Sequence, residues 1–167
     1  MRHVPGFHLA QVNIALPLEP LDSERLKGFV DALEPVNAIA DAAPGFVWRL
    51  QTEDGDATAI RPFEDDRLII NMSLWESLEA FADFVYGPEH AAVMRHRRRW
   101  FVPMREMITA LWWTPVGTVP TPADAVHRLD LLRAHGPTSE AFTVRQPFAR
   151  PDESGAPQVR DEWTCRA

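Results

Sequence analysis

The chain has 167 residues, a formal charge of −7, 46% hydrophobic residues and 25% charged residues. That length suits one domain with its own apolar core, and the acidity argues against a nucleic-acid partner, which calls for a basic face. The longest apolar stretches fall well short of the ~20 residues a membrane helix needs, and one cysteine, Cys165, excludes an intramolecular disulfide or a cysteine-rich metal site.

Met1 to Gly6 holds no apolar run followed by a small-residue cleavage site, so no signal peptide is expected, and the lone cysteine fits a reducing, cytoplasmic location. His8 to Leu16 alternates apolar residues with Gln11 and Asn13, which predicts a strand with one polar face. Pro17 and Pro20 end it. Asp22 and Ser23 are N-cap candidates for a helix whose Leu26, Phe29, Val30 and Leu33 fall at helical spacing. Pro35 is expected to break or restart that helix, Val36, Ile39 and Ala40 continue its stripe, and Pro44-Gly45 stops it.

Phe46 to Gln51 predicts a second strand. The carboxylates between Glu53 and Asp66 read as turn residues, because Asp54-Gly55-Asp56 lacks the spacing of a calcium loop. Arg67 to Ser73 predicts a third strand, with Leu68, Ile70 and Met72 on one face and Arg67, Ile69 and Asn71 on the other. Ser73-Leu74-Trp75-Glu76 has the form of a capping box and is expected to open a helix carrying Leu78, Phe81, Ala82 and Val85. Pro88 suits the first position of a further helix reaching about Phe101.

Met107 to Thr114 predicts a fourth strand. Thr121-Pro122-Ala123-Asp124 caps another helix, which Gly136-Pro137 closes. Residues 7–148 then make the domain, Phe142 to Phe148 being extended. Residues 149–167, rich in Pro, Gly and charge, are expected to form a disordered tail. This order predicts an α+β, ferredoxin-like split βαβ sheet with helices on one face, plus an extra C-terminal helix. The uncovered face is expected to pair with a second copy, making a dimeric α/β barrel.

Several segments together carry a family resemblance: Leu9-Ala10-Gln11-Val12-Asn13, Phe46-Val47-Trp48-Arg49-Leu50, Asn71 to Ser77, Phe84-Val85-Tyr86 with His90, Arg99-Trp100-Phe101, Leu111-Trp112-Trp113, and Leu131 to Pro137. Through them the chain resembles a bacterial domain family of unknown function, number 3291, within the dimeric α/β-barrel superfamily. The resemblance implies a homodimer around a ligand-sized cavity. At fold level it extends to antibiotic-biosynthesis-type monooxygenases, haem-degrading enzymes, isomerases and simple binding proteins.

His90, near a helix start, is the first catalytic candidate, because neutral imidazole there can act as a base or ligate a metal. Asn13, Asn71 and Arg49 lie on strand faces that, directed into the barrel, would bind a carbonyl or carboxylate. Trp48, Trp75, Trp112 and Trp113 are candidate pocket walls, although adjacent Trp112 and Trp113 must point to opposite faces. Arg95 to Arg99 reads as a solvated face, partly paired by Glu89 and Asp83, with Arg99 the member that matches the family and could reach an acidic substrate. His127 and His135 lack a third ligand at metal spacing, so no metal site is expected.

Three functions follow. The first is a cofactor-independent monooxygenase, isomerase or cyclase acting on a small apolar or aromatic metabolite, with neither nucleic acid nor membrane as partner. The second is a haem binder or haem-using enzyme with His90 or His96 as axial ligand; here Asn13 matches an Asn of the haem-degrading relatives, but Phe84 stands where they carry a Trp. The third is a binding protein without catalysis.

Overall fold

The computed structural model describes residues 6–155, 157, 159 and 160. Nine elements follow in order: β1 (Phe7–Ala15), α1 (Lys27–Ala42), β2 (Phe46–Arg49), β3 (Ile69–Trp75), α2 (Leu78–Val85), α3 (Pro88–Met94), α4 (Arg97–Trp100), β4 (Thr109–Pro115) and α5 (Pro122–His135). The strands form one sheet in the order β2-β3-β1-β4, and every pairing is antiparallel. That is the ferredoxin-like order, with β1 and β3 central.

Alternation along the strands divides the sheet into two unlike faces. The first face carries Ala10, Val12 and Ile14 of β1, Ile70, Met72 and Leu74 of β3, and Ala110 and Trp112 of β4, all buried in one apolar cluster. The second face carries Leu9, Gln11 and Asn13 of β1, opposite Trp75, Ser73 and Asn71 of β3 and opposite Trp113, Leu111 and Thr109 of β4. Leu78, Phe81 and Ala82 of α2 pack on the Leu9, Trp75 and Leu111 end of this second face, so the α2 crossover covers the polar side.

The extra helix α5 covers the opposite, apolar face with Ala125, Leu129 and Leu132, and Ala57, Ile60, Phe63 and Leu68 of the β2–β3 connection complete that cover. Its start is well specified. Thr121 Oγ1 accepts from Asp124 N at 3.2 Å, while Asp124 Oδ2 accepts from Thr121 N at 2.7 Å, a reciprocal capping box. Gly136, at φ 70°, ends the helix in a conformation that favours glycine.

Local departures from the sequence reading have identifiable causes. Pro35 does not interrupt α1, which runs through it; Phe29 packs on Trp100 and Phe101 before it and Ala40 is buried after it, so contacts on both sides hold the helix together. Ser23 does not cap α1. It ends a preceding turn, accepting from Leu26 N at 3.4 Å, and α1 begins at Lys27. Ser73 is a strand residue rather than an N-cap, and Ser77 caps α2 by accepting from Ala80 N at 3.1 Å. The helix opened by Pro88 stops at Met94, and a separate short turn, α4, follows.

The segment expected to be disordered begins with packed residues. Asp152 Oδ2 accepts from Gly6 N at 2.9 Å, and Arg150 Nε donates to Asp152 Oδ1 at 2.6 Å. The disorder expected for residues 156, 158 and 161–167 lies outside the described residues. No helix among the described residues is long and apolar enough to cross a membrane.

Candidate functional site

The polar residues of the second face form a connected set. Gln11, 5% exposed on central strand β1, donates from Nε2 to Asn71 Oδ1 at 2.7 Å and to Ser73 Oγ at 2.8 Å. Ser73 Oγ also accepts from Trp75 Nε1 at 2.8 Å. Each buried polar group is thus paired, as burial requires. Beside them, Asn13 Nδ2 donates to Thr109 Oγ1 at 2.9 Å.

These bonds set the orientation of two amides. Because Asn71 receives the Gln11 donor on its oxygen, its own NH2 is turned away as a donor. Because Asn13 spends its NH2 on Thr109, its oxygen is left as an acceptor. Asn13 and Asn71 are direct cross-strand partners, so a donor and an acceptor stand side by side on one sheet face. Asn71 is exposed although β3 is a central strand. The helical layer is therefore open above it.

From Trp75 an aromatic row leads to α3. Trp75 stacks on Phe84 with ring centroids 5.2 Å apart, and Phe84 meets the His90 ring edge-on at 5.3 Å. His90 is half-buried in the first turn of α3, which Gly87 and Pro88 begin. Its Nδ1 lies 3.0 Å from the Val85 carbonyl. A carbonyl only accepts, so Nδ1 carries the proton and Nε2 keeps its lone pair. Burial pulls the His90 pKa below the ordinary value of 6.5, and the Val85 hydrogen bond opposes this more weakly. The imidazole is neutral at pH 7, with Nε2 as a free base.

Of the residues singled out from sequence, the structure puts Asn13, Asn71 and Trp75 on one sheet face, and it links His90 to that face at the Trp75 end through Phe84. Strand periodicity left their direction open; the polar face looks toward α2 of its own chain, and the apolar face lies under α5. Trp48 and Trp112 belong to that apolar side, where Arg128 stacks on Trp112 at 5.8 Å. They line no part of the polar set. Trp113 does reach the polar face, at its far end, with its indole NH taken by Phe148.

Arg49 is also on the helix side, opposite Ser73, but its fork is occupied. Nε and Nη2 bind the Asp41 carboxylate at 2.7 and 3.3 Å, and Nη1 donates to the Gly55 carbonyl at 2.6 Å. It clamps α1 and the 50–56 loop to the sheet edge instead of facing a ligand. Arg99 is exposed on α4 and makes no ion pair among the described residues. Of the two acids expected to neutralise the arginine run, Asp83 pairs instead with Arg160 at 3.6 Å.

Sequence reasoning placed Gln11 on the polar strand face without giving it a role, and it assigned Ser73 to a cap. Strand alternation places both, and the structure makes them the centre of the network. For haem, the alternative cofactor, exposed His96 rests its ring against Trp100 at 5.9 Å and offers no enclosed slot. His90, with its free Nε2, is the residue that would hold the iron.

Among solved structures the chain is similar to PA3566 from Pseudomonas aeruginosa, at 11% identity and a TM-score of 0.46, over 70% of this chain and 99% of that one. It is similar to a variant of SnoaB, a cofactor-independent oxygenase from Streptomyces nogalater, at 16% identity and a TM-score of 0.43, over 68% and 98% of the two chains. A third is the NE2512 protein of unknown function from Nitrosomonas europaea, at 12% identity and a TM-score of 0.44, over 70% and 96%. No curated protein sequence matches. The model of the family described as Domain of unknown function (DUF3291) matches residues 8–158, nearly the whole length, and the chain belongs to that family.

Proposed function

We propose that the protein binds a small apolar or aromatic metabolite on the helix-side face of its sheet, and that His90 removes a proton from it without a resident cofactor. The observation that carries this reading is the state of His90: buried enough to stay neutral, anchored through Nδ1 to Val85, and left with Nε2 as a base on a ring that packs against Phe84. A base whose pKa lies near or below the working pH is in its active form.

The half-buried rings of Phe84 and His90, backed by buried Trp75, supply the apolar surface against which a planar ligand packs. Nε2 of His90 accepts the proton of a phenol or of a carbon acid next to a carbonyl, and the bonding electron pair stays on the substrate as phenolate or enolate. The NH2 of Asn71 donates to the resulting oxyanion, while Asn13 Oδ1 accepts from a neighbouring hydroxyl. Returning the proton to another carbon completes an isomerisation. Passing an electron from the anion to dioxygen, as co-reactant, begins an oxygenation. Each site is built from one chain, and α5 covers the sheet face that was expected to stay open for a second copy, so this reading does not depend on the homodimer that the family resemblance implies.

The test is turnover of a panel of phenols and cyclic ketones under air and under nitrogen, with native and His90→Gln protein. Product formed by the native protein and lost in the variant supports the reading, and dependence on air separates oxygenation from isomerisation. Binding without turnover by either protein contradicts it in favour of a metabolite-binding protein. A Soret band in the purified protein contradicts it in favour of haem.

A further inference from the structure

A hollow of about 500 Å3 lies at the Ile69 end of β3, lined by residues 17–22 together with Arg61, Arg67 and Ile69. Its volume is in the range of small-molecule sites. None of Asn13, Asn71, Trp75 and His90 lines it, although Ile69 is two residues from Asn71 on the same strand face.

The charges around it are of both signs and come from different segments. The 17–22 segment brings Glu19 and Asp22, and the β2–β3 connection brings Arg61 and Arg67. Opposite charges within reach of one another normally close into pairs. Here no ion pair among the described residues joins the two segments. Glu19 pairs weakly with Arg25 at 3.8 Å, Arg67 is held by the Asp65 carboxylate through Nε at 3.0 Å and Nη2 at 2.8 Å, which leaves only its Nη1 unspent, and Asp22 has no ion pair among the described residues. Arg61 donates through Nη1 to the Thr58 and Ile60 carbonyls, which leaves Nε and Nη2 as unspent donors. Between these charges lie Leu18, Leu21 and Ile69. Leu18 is 38% exposed and Leu21 is half-buried, so apolar surface opens into the hollow over buried Ile69.

Cationic donors, carboxylates and an apolar surface around one hollow complement a molecule that carries one charge of each sign and an apolar body. We infer that this hollow binds a free α-amino acid with an apolar side chain. Its carboxylate sits on the free Nε and Nη2 of Arg61, with Nη1 of Arg67 beside it, its ammonium faces Asp22 and Glu19, and its side chain covers Leu18 and Leu21. Charge-assisted hydrogen bonds at both ends supply the selectivity.

Titration calorimetry with L-leucine and L-phenylalanine, and then with N-acetyl-L-leucine and L-leucine methyl ester, tests this on the full chain. The expected result is saturable 1:1 binding of the free amino acids, weakened about tenfold or more by capping either end and by Arg61→Gln or Asp22→Asn, since each removes one charge-assisted contact. These side chains are exposed, so the variants should keep the circular dichroism spectrum of the native protein. The inference is overturned by the absence of saturable binding, by binding indifferent to capping, or by sensitivity to only one capped end.

Discussion

The two faces of the sheet are made by the same strands and differ in almost everything else. Under α5, Val12, Met72, Ala110 and Leu129 are wholly buried in an apolar cluster, with polar groups only at its margin, where Thr114 is buried and Arg128 lies over Trp112. Under α2, Gln11, Asn71, Ser73 and Trp75 of the same strands join two amides, a hydroxyl and an indole in one network, Asn13 bonds Thr109 beside it, and the layer above is open at Asn71. The period of two in a strand is what allows this division. One face is given to cohesion, where apolar area removed from water stabilises the fold. The other accepts the cost of burying polar groups and ends with two oriented amides and a free imidazole nitrogen.

The contrast is broken most strongly from the apolar side. Leu129→Ala should lower stability by about 2–5 kcal/mol in urea unfolding, because it opens a cavity beneath fully buried neighbours. Asn71→Ala should cost under about 1 kcal/mol by the same measurement and should abolish binding of a phenolic ligand. Equal stability losses would mean that the two faces are not specialised.

His90→Gln sharpens the comparison on the polar side. Removing a general base should slow turnover by about 100-fold or more while ligand affinity stays within a few fold. The native rate should fall at acid pH as Nε2 becomes protonated, with a midpoint below 6.5. Stability follows the same group. With the folded pKa depressed below 6.5, the unfolded chain binds more protons in the window just under 6.5, so stability rises with pH there and is lost as pH falls through the folded value. Urea titrations at several pH values should show that slope in the native protein and a shallower one in His90→Gln.

Smaller effects separate the network from the helix that lies on it. Trp75→Phe keeps the ring stack with Phe84 and loses the donor to Ser73, a change of about 1 kcal/mol. Ser77→Ala removes the N-cap of α2 and should cost about 0.5–1 kcal/mol, with turnover little changed. Should Ser77→Ala impair turnover more than Trp75→Phe does, the position of α2 matters more than the network beneath it.

Much of this was legible in the sequence because alternation is a strong signal. It placed four strands and put Gln11 and Asn13 on one side of β1, and the proline and glycine punctuation located α3 and α5. What escaped it depended on partners distant in sequence. Ser73 fits a capping pattern locally, yet it is held in β3 by Gln11 and Trp75. Arg49 looks like a ligand residue until Asp41, on another element, is found against it. The direction of the polar face could not be read from strand periodicity, which gives two faces without saying which one each helix covers. That was decided by α2 and α5.

The most direct test of the account is to record side-chain amide, indole and imidazole NMR signals during titration with 1-naphthol, a small aromatic phenol. The account predicts shifts for the Asn71 NH2, the Trp75 indole NH and the His90 ring, with His90 in its Nδ1–H form before ligand is added, and little change at Trp48 and Trp112. Shifts confined to Trp48 and Trp112, or a free His90 that carries its proton on Nε2, would contradict it.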